Sequence, residues 1–532
     1  MKKQPLKSMM HGAFILTIAA FIAKLLSAVY RVPLQNLVGD EGFYVYQQVY
    51  PFYGIAMTLA LTGLPQFIAK YVAEQEQATN QVQHLKSLTS FVTILGFLLW
   101  GVVFFFSQEM AVLMGDEALG TSIRVASLTF LLIPPLALYR GQLQGHLILV
   151  PTALSQVVEQ FLRVGVILAA ATSFHYIGWN IYQVTQVSMI GSFIGGIVAC
   201  AILFASHRRH FPTAFHWGRG GYYQWPEKKL RRRFLVEGGF VSIYSGYFIF
   251  LQLIDSFLLV NLLEKSGLSP LEARIEKGIF DRGQPLVQLG LVVALALSTS
   301  FVPMLTRYLR EKKQADFLFS AQLYLRLTTT IGLAASVGLA LVMPYMNYTL
   351  FKDRAGNGIL SLFVFSVVLM ALIHGYQSLA QSQNHFRTAL RAAGIGLLIK
   401  LFVTPPLVLI GGTMGASLAT ICALSVVLWM LIRQEQSAIN AFWRQGKFGW
   451  HLLGATAVMS VTILAFYGSF EQLFGQVAHR STALVMTLLG VLLGMLSFGF
   501  SLVYFNVFTP EEWAVIPFGK KILRKVGRKN ET

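Results

Sequence analysis

The feature that most constrains this chain is a series of apolar stretches that recurs from one end of the sequence to the other. Each stretch is about 20 residues long, which is the length that a helix needs to cross the roughly 30 Å hydrocarbon core of a bilayer. Apolar residues make up 55% of the 532 residues and charged residues only 12%, a composition that is atypical of soluble domains. The sequence therefore predicts an all-α integral membrane protein.

The apolar stretches give about fourteen predicted transmembrane helices. The division within 392–432 rests on a single glycine-rich break, Gly411–Gly415. The predicted spans are 11–30, 43–69, 88–107, 121–139, 151–172, 183–205, 235–262, 281–305, 319–344, 358–380, 392–411, 414–432, 449–467 and 482–506.

Short motifs repeat along the chain at a nearly constant separation of 237 to 239 residues, which indicates a tandem duplication. The repeated unit holds six spans, an even number, so both copies enter the membrane in the same orientation as parallel repeats. The matched residues are Tyr71 with Tyr308, Asp116 with Asp353, and His146 with His385. The predicted organisation is a six-helix lobe at 1–206, a basic linker at 207–234, a second six-helix lobe at 235–433, and at 434–532 two extra helices with a basic tail.

The basic residues give the chain a net charge of +19, and their distribution predicts its orientation. Of the 42 Lys and Arg residues, 29 fall on the side that holds both termini and 8 on the opposite side. This asymmetry predicts that both termini lie in the cytoplasm. Because these residues are scattered over short loops, the charge does not indicate nucleic-acid binding, and the linker is interpreted as an anchor on anionic lipid rather than a regulatory site.

Motifs of soluble catalysis are absent from the sequence. There is no nucleotide-binding glycine loop, zinc pattern or nucleophile elbow, and Cys200 and Cys422 stand alone. The acidic pair Asp40-Glu41 resembles the acidic pairs of membrane glycosyltransferases, but a turn role after Gly39 is favoured because no large external domain accompanies it. We expect a protein that is not an enzyme, with no catalytic residue, cofactor or metal site.

Ionisable side chains inside the spans are the candidate functional residues, since each costs about 2.5–3.5 kcal/mol at the bilayer centre. Lys24 and Arg31 lie seven residues apart, on one helical face. Span five carries a polar stripe, and span seven, span eight and span eleven add further charges. The predicted substrate-binding residues are Lys24, Arg31, Glu159, Arg163, Asp255, Arg282 and Lys400.

Structural roles compete with the functional interpretation at several of these positions. Glu159 and Arg163 are spaced i,i+4 and could neutralise each other. Arg31 and Arg282 lie near predicted membrane edges, from which their side chains could reach the headgroups. Arg124 and Arg326 are interpreted as structural.

The candidate residues include more cations than anions, as a pathway for an anionic headgroup such as a diphosphate requires. A flippase for a lipid-linked glycan is the leading hypothesis. An ion-coupled drug or small-solute antiporter, which would normally have twelve spans and an acid-centred ion site, is the alternative, and a non-transporting scaffold is a third class. A coupling ion and a glycan synthase are candidate partners that no motif specifies.

Two segments carry a family resemblance. Arg140-Gly-Gln-Leu-Gln-Gly145, followed by the stripe from Pro151 to Arg163, resembles the polysaccharide-synthase and stage V sporulation protein B branch of the multidrug/oligosaccharidyl-lipid/polysaccharide exporter superfamily. The segment from Asp281 to Leu289 is similar to the corresponding stretch of Gram-positive MurJ-type lipid II flippases.

This resemblance implies an alternating-access flippase of the bacterial plasma membrane that moves an undecaprenyl-diphosphate-linked sugar to the outer leaflet. It also implies that Lys24, Arg31 and Arg282 line a cationic cavity, and that spans thirteen and fourteen form a groove for the lipid tail. Many relatives have Arg where this chain has Lys24, which lacks the planar fork that grips a phosphate.

Overall fold

The computed structural model describes residues 6–74, 78–211, 225–475 and 477–516. Within these ranges every regular element is helical, so the predicted all-α architecture is confirmed. The middle of the predicted linker, 212–224, and the basic tail, 517–532, lie outside the described residues.

The helices vary from single turns to segments far longer than a bilayer is thick. Leu59–Gly63 and Phe234–Gly238 are π-helical turns. In the first half of the chain the helices are α1 Leu6–Val29, α2 Arg31–Thr58, α3 Leu64–Glu74, α4 Ala78–Phe105, α5 Ser107–Leu113, α6 Gly120–Ser127, α7 Ile133–Gly145, α8 Val150–Tyr176, α9 Ile181–His210, α10 Lys228–Arg233, α11 Gly239–Ser245 and α12 Tyr247–Lys265. The second half contributes α13 Pro270–Asp281, α14 Gly283–Arg310, α15 Gln314–Phe351, α16 Asn357–Phe363, α17 Ser366–Ser382, α18 Phe386–Gln434, α19 Ser437–Asn440, α20 Phe448–Phe474, α21 Arg480–Tyr504 and α22 Pro510–Val515.

Eleven segments of the described chain are long and apolar enough to cross a membrane. Two of them, Ile18–Glu74 with 57 residues and Phe386–Gln434 with 49, exceed the length of a single crossing. As straight helices they would measure about 85 and 74 Å. Both therefore have the length for two crossings, and the count of about fourteen spans stays a prediction.

Each of these two long segments reverses direction at a glycine with positive φ. The two residues are Gly39 (φ 72°, ψ −176°) and Gly412 (φ 53°, ψ −138°). Residues 16 apart on a straight helix are separated by about 24 Å, yet the Lys400 ammonium lies 3.3 Å from the Ala416 carbonyl oxygen. The division that the sequence predicts within Gly411–Gly415 is thus confirmed at Gly412.

The described chain divides into two compact units. Unit 1 consists of Met1–Leu289 and Phe386–Ala423, and unit 2 of Gly290–His385 and Leu424–Thr532. The predicted lobes at 1–206 and 235–433 follow the repeat instead, and that organisation stays a prediction.

In unit 1, α8 and α9 pack so closely that only small residues fit between them. A Cβ atom on Gly195 of α9 would lie 2.8 Å from the backbone oxygen of Glu159 on α8. Membrane helices commonly approach through such residues, because packing and hydrogen bonds, rather than apolar burial, drive their association. The contact fixes the polar face of α8 against the rest of unit 1.

In unit 2, a buried ion pair ties α15 to the C-terminal segment. Arg326 donates to both carboxylate oxygens of Glu512, at 2.8 and 3.0 Å, and its other terminal nitrogen donates to the backbone oxygens of Phe442 and Gln445. These contacts agree with the structural role that the sequence suggests for Arg326.

The two copies of the predicted repeat share a local turn geometry. The Asp116 carboxylate accepts from the amide of Ala118, and the Asp353 carboxylate accepts from the amide of Ala355, so the matched aspartates form the same turn. The parallel arrangement of the copies stays a prediction.

Candidate functional site

Arg163, in the polar stripe of α8, is enclosed by tyrosines in unit 1. Its Nη2 donates to the hydroxyl oxygens of Tyr30 at 2.8 Å and Tyr46 at 2.9 Å, and these hydroxyls are themselves 2.7 Å apart. Nη1 donates to Gln160, and the guanidinium lies 4.1 Å from the centroid of the Tyr53 ring. Ring faces attract cations, so the shell stabilises the charge without cancelling it.

Arg31, the first residue of α2, adds a second cation to this cluster. Its guanidinium lies 4.3 Å from the centroid of the Tyr50 ring, and Arg163 lies 5.7 Å from the same centroid. The Tyr30 side chain is a polar neighbour of Arg31, but none of the three guanidinium nitrogens of Arg31 forms a hydrogen bond of good distance and angle among the described residues. We call Arg31, Arg163 and the rings of Tyr30, Tyr46, Tyr50 and Tyr53 the arginine–tyrosine cluster.

Glu159 does not neutralise Arg163, although the i,i+4 spacing suggested that it could. Its carboxylate instead accepts from Arg140 Nη2 at 2.8 Å, and both side chains are buried. Arg140 also donates to Ser155 and to the backbone oxygen of Ala60. The sequence motif that begins at Arg140 therefore supplies the partner, and Arg163 is left without a carboxylate.

Asp255 and Lys400, both predicted from the sequence, form a buried ion pair. Lys400 Nζ lies 2.6 Å from Asp255 Oδ1, donates to the Thr420 hydroxyl oxygen at 2.7 Å, and is 3.3 Å from the Ala416 backbone oxygen. The pair joins α12 to both limbs of α18 within unit 1. In this conformation the Lys400 charge is satisfied inside the protein.

Arg282, at the junction of α13 and α14, forms a two-bond ion pair with Asp40. Its Nε donates to Asp40 Oδ1 at 2.9 Å and its Nη2 to Oδ2 at 2.5 Å, while Gln35 also donates to Asp40. Arg282 and Arg31 are both fully buried within the protein, and their depth relative to the headgroups stays a prediction. Asp40 does follow the turn at Gly39, as expected, and in addition holds Arg282.

A third pair, Lys277 with Asp281, was not predicted. Both residues are fully buried, and Lys277 Nζ lies 2.6 Å from Asp281 Oδ1. The charges of Asp255 and Arg31 also act on Asp281, so the pair lies in the same charged region of unit 1. The sequence feature that could have predicted this pair is its i,i+4 spacing. The spacing did not single it out, because charged residues on a short helix between spans are ordinarily solvated.

Lys24 differs from the other predicted residues because its side chain is exposed. Exposed Phe21 and Leu25 flank it on α1. Tyr30 separates α1 from α2, and Arg31 beyond it is buried. A binding role for Lys24 stays a prediction.

Two buried side-chain amides without hydrogen-bond partners in the described chain also indicate a polar interior. Gln47 on α2 and Gln252 on α12 are buried, and neither amide oxygen nor nitrogen has a partner among the described residues. Gln252 belongs to the polar face that the sequence predicts for span seven. Buried amides normally have partners, so these two are available to a polar ligand or water.

Charge balance distinguishes two classes of buried residue. All five buried carboxylates in the described chain have a Lys or Arg nitrogen within 4 Å: Asp116, Glu159, Asp255, Asp281 and Glu512. By the same measure, Arg31 and Arg163 lack a carboxylate partner among the described residues, whereas the other five buried Lys and Arg residues have one. The cluster is thus an excess of two positive charges.

Comparisons with known proteins agree with the fold. The chain is 34% identical over 525 residues to the uncharacterized membrane protein YabM of Bacillus subtilis, which spans 98% of this chain and 97% of the relative. It is 25% identical over 445 residues to lipid II flippase MurJ of the same organism, covering 77% of this chain and 79% of the relative.

Among solved structures, lipid II flippase MurJ in an inward closed conformation matches with a TM-score of 0.65 at 15% identity. The match covers 93% of this chain and 99% of that one, so the two share their fold over nearly their whole length. The family model described as polysaccharide biosynthesis protein matches residues 9–309, more than half of the chain. The resemblance seen in the sequence is confirmed: this multi-pass membrane protein belongs to the polysaccharide biosynthesis protein family.

Proposed function

We propose that this protein is a flippase that carries an undecaprenyl-diphosphate-linked glycan, such as a lipid II-like precursor, across the bacterial plasma membrane. The observation that carries the proposal is the charge excess of the arginine–tyrosine cluster. Two buried guanidinium groups lack a carboxylate partner in the described chain, and the Arg31 nitrogens form no hydrogen bond of good geometry there. A diphosphate is a ligand of the opposite charge whose oxygens match the guanidinium fork.

The tyrosines would contribute to binding in two ways. Their hydroxyls hold Arg163 by hydrogen bonds at 2.8 and 2.9 Å, which leaves its Nε without a partner in the described chain. Their rings lie against the guanidinium groups, at 4.3 Å from Arg31 to the Tyr50 centroid and 4.1 Å from Arg163 to the Tyr53 centroid. Such a site would bind an anion through the two guanidinium charges. It could also release the anion, because the tyrosine hydroxyls and rings stabilise the guanidinium groups when no anion is bound.

Relatives support the same class of substrate. The similar protein lipid II flippase MurJ bears a name that specifies a lipid-linked substrate, and the family model refers to polysaccharide biosynthesis. An alternating-access cycle, with both termini in the cytoplasm, is part of the proposal. The proposal also includes Lys24, Arg282 and Lys400 as substrate-binding residues. Arg282 and Lys400 are paired with carboxylates here, so they would contact the substrate only in other conformations of the cycle.

The drug or small-solute antiporter is less consistent with the charges. A site for a cationic drug needs a carboxylate that is free to receive it, and the five buried carboxylates of the described chain are each beside a Lys or Arg. The unpartnered charges are positive, as an anionic cargo requires.

The test is transbilayer movement of an undecaprenyl-diphosphate sugar in proteoliposomes, compared between the wild type and Arg31→Ala. We expect Arg31→Ala to reduce the rate by at least about tenfold, because removing one charged contact costs about 1.5–3 kcal/mol. Arg307→Ala, which removes an exposed arginine, is the matched control and should retain the wild-type rate. A folded wild type that moves no such lipid but exchanges cationic drugs for ions would replace the proposal with the antiporter.

A further inference from the structure

The ammonium group of Lys400 is surrounded by oxygens of three chemical kinds. The carboxylate of Asp255 lies at 2.6 Å, the hydroxyl of Thr420 at 2.7 Å and the backbone carbonyl of Ala416 at 3.3 Å. Lys400 is fully buried, and Asp255 and Thr420 are each 1% exposed. The ammonium donates to the hydroxyl and to the carbonyl, and it forms an ion pair with the carboxylate.

The shell is built across the reversal of α18. Lys400 comes from the limb before Gly412, and Ala416 and Thr420 come from the limb after it. The Thr420 hydroxyl donates to the Ala416 carbonyl at 3.0 Å, which turns the oxygen lone pairs of Thr420 toward the ammonium. Asp255 closes the shell from α12.

This oxygen set differs from that around the other buried lysine of unit 1. Lys277 is held by the two carboxylate oxygens of Asp281. Carboxylate, hydroxyl and carbonyl oxygens in combination are what hard metal cations select in proteins. The oxygens around Lys400 therefore have the composition of a cation-binding site. Lys277, in contrast, forms a simple ion pair.

We propose that Lys400 is a tethered cation, which occupies a site for a monovalent alkali cation formed by Asp255, Thr420 and Ala416. Its ammonium supplies the positive charge that Asp255 needs, so the wild-type protein binds neither Na⁺ nor K⁺ at this position. Removal of the ammonium leaves three oxygens around a space of cation size, which Na⁺ or K⁺ can enter with water completing the coordination. The inference concerns ion binding alone and holds whatever the transported substrate is.

The experiment uses purified Lys400→Ala in detergent, titrated with NaCl or KCl at constant ionic strength against N-methylglucamine chloride. We expect a saturable rise of about 2–5 °C in the apparent melting temperature, since a ligand that binds only the folded state stabilises it in proportion to the logarithm of its concentration. Wild type should show no alkali-specific rise.

Three matched variants test the assignment of ligands. Lys400→Met removes the charge but fills the space with an apolar chain, and should show no rise. Lys277→Ala removes a buried lysine whose shell lacks the hydroxyl and the carbonyl, and should also show none. Lys400→Ala combined with Asp255→Asn keeps the space, removes the anionic ligand, and should lose the response.

The proposal is overturned if Lys400→Ala shows no alkali-specific stabilisation, or if wild type or Lys277→Ala shows the same one. If Lys400→Ala does not accumulate as folded protein in N-methylglucamine, purification in NaCl or KCl should restore it, and failure in all three salts also overturns the proposal. Because the measurement is binding and not transport, a negative result leaves the flippase proposal standing.

Discussion

Unit 1 contains two kinds of buried cation, and they differ in what neutralises them. Arg140, Lys277, Arg282 and Lys400 each lie within 4 Å of a carboxylate. Arg163 instead contacts tyrosine hydroxyls and rings, and Arg31 lies against the Tyr50 ring. A buried ion loses several kcal/mol of hydration, which a matched partner offsets and a ring offsets only in part. The first kind is neutralised within the fold, and the second kind is the one that the proposed function assigns to an anionic ligand.

The largest effect that would test this difference is expected at Arg163. Arg163→Ala should lower the transport of a diphosphate lipid by about 100-fold or more, because truncating a buried charged contact costs about 2–5 kcal/mol. Arg163→Lys should recover part of the activity, since it keeps the charge but loses the planar fork. The measurement is the rate of transbilayer movement in proteoliposomes, with folding monitored by melting temperature.

A full retention of transport in a folded Arg163→Ala protein would show that the excess charge is structural. Tyr46→Phe sharpens the comparison, because it removes one hydroxyl from Arg163 and leaves the ring. We expect Tyr46→Phe to lower transport by about 10- to 100-fold at most, less than Arg163→Ala, as loss of a hydrogen bond to a charged group costs about 1.5–3 kcal/mol.

The next effect is on stability and concerns Arg140 and Glu159. Glu159→Gln should lower the free energy of unfolding by about 3–5 kcal/mol, since it leaves Arg140 as an uncompensated buried charge. Adding Arg140→Met to it should restore much of the loss, because the double variant buries no charge at this site. If the double variant is as unstable as the sum of the single ones, the two residues are not coupled.

Much of this architecture could be predicted from the sequence. Hydropathy gave the all-helical membrane fold, and the glycine-rich break at Gly411–Gly415 located the reversal of α18 at Gly412. These features are local, since an apolar stretch and a glycine with positive φ are properties of a few adjacent residues. The polar residues of α8 and α12 were identified for the same reason.

Partners could not be predicted in the same way, because they come from distant parts of the chain. Glu159 pairs with Arg140, 19 residues away, rather than with Arg163 at the favourable i,i+4 spacing. Asp40 and Arg282 are separated by 242 residues. The packing of helices decides which of several nearby cations a carboxylate contacts, and no local sequence pattern predicts that packing.

A smaller effect on stability is expected in unit 2, at Glu512. Glu512→Gln should lower the free energy of unfolding by about 1–3 kcal/mol, the cost of weakening a buried charged hydrogen bond. Both arginines keep other hydrogen bonds, so the smaller loss at Glu512 rests on burial: Arg326 and Glu512 are each 4% exposed, whereas Arg140 and Glu159 are 0% and 1% exposed. Chemical unfolding of the two single variants in the same detergent compares them directly, and a larger loss at Glu512 would reverse the order.

The smallest effect is expected at an exposed pair at the end of α14, Arg307 in its last turn with Glu311 just after it. Hydrogen bonds from Arg307 and Lys313 lower the pKa of Glu311 from 4.5 to about 2. A lowered pKa in the folded state means that any contribution is present above pH 4.5 and is lost as the pH falls toward 2. Solvent and salt screen such a pair, so Glu311→Gln should leave the melting temperature at pH 7 unchanged within error. A clear drop at pH 7 would mean that an exposed ion pair rivals the buried ones, and that burial does not set the order of these effects.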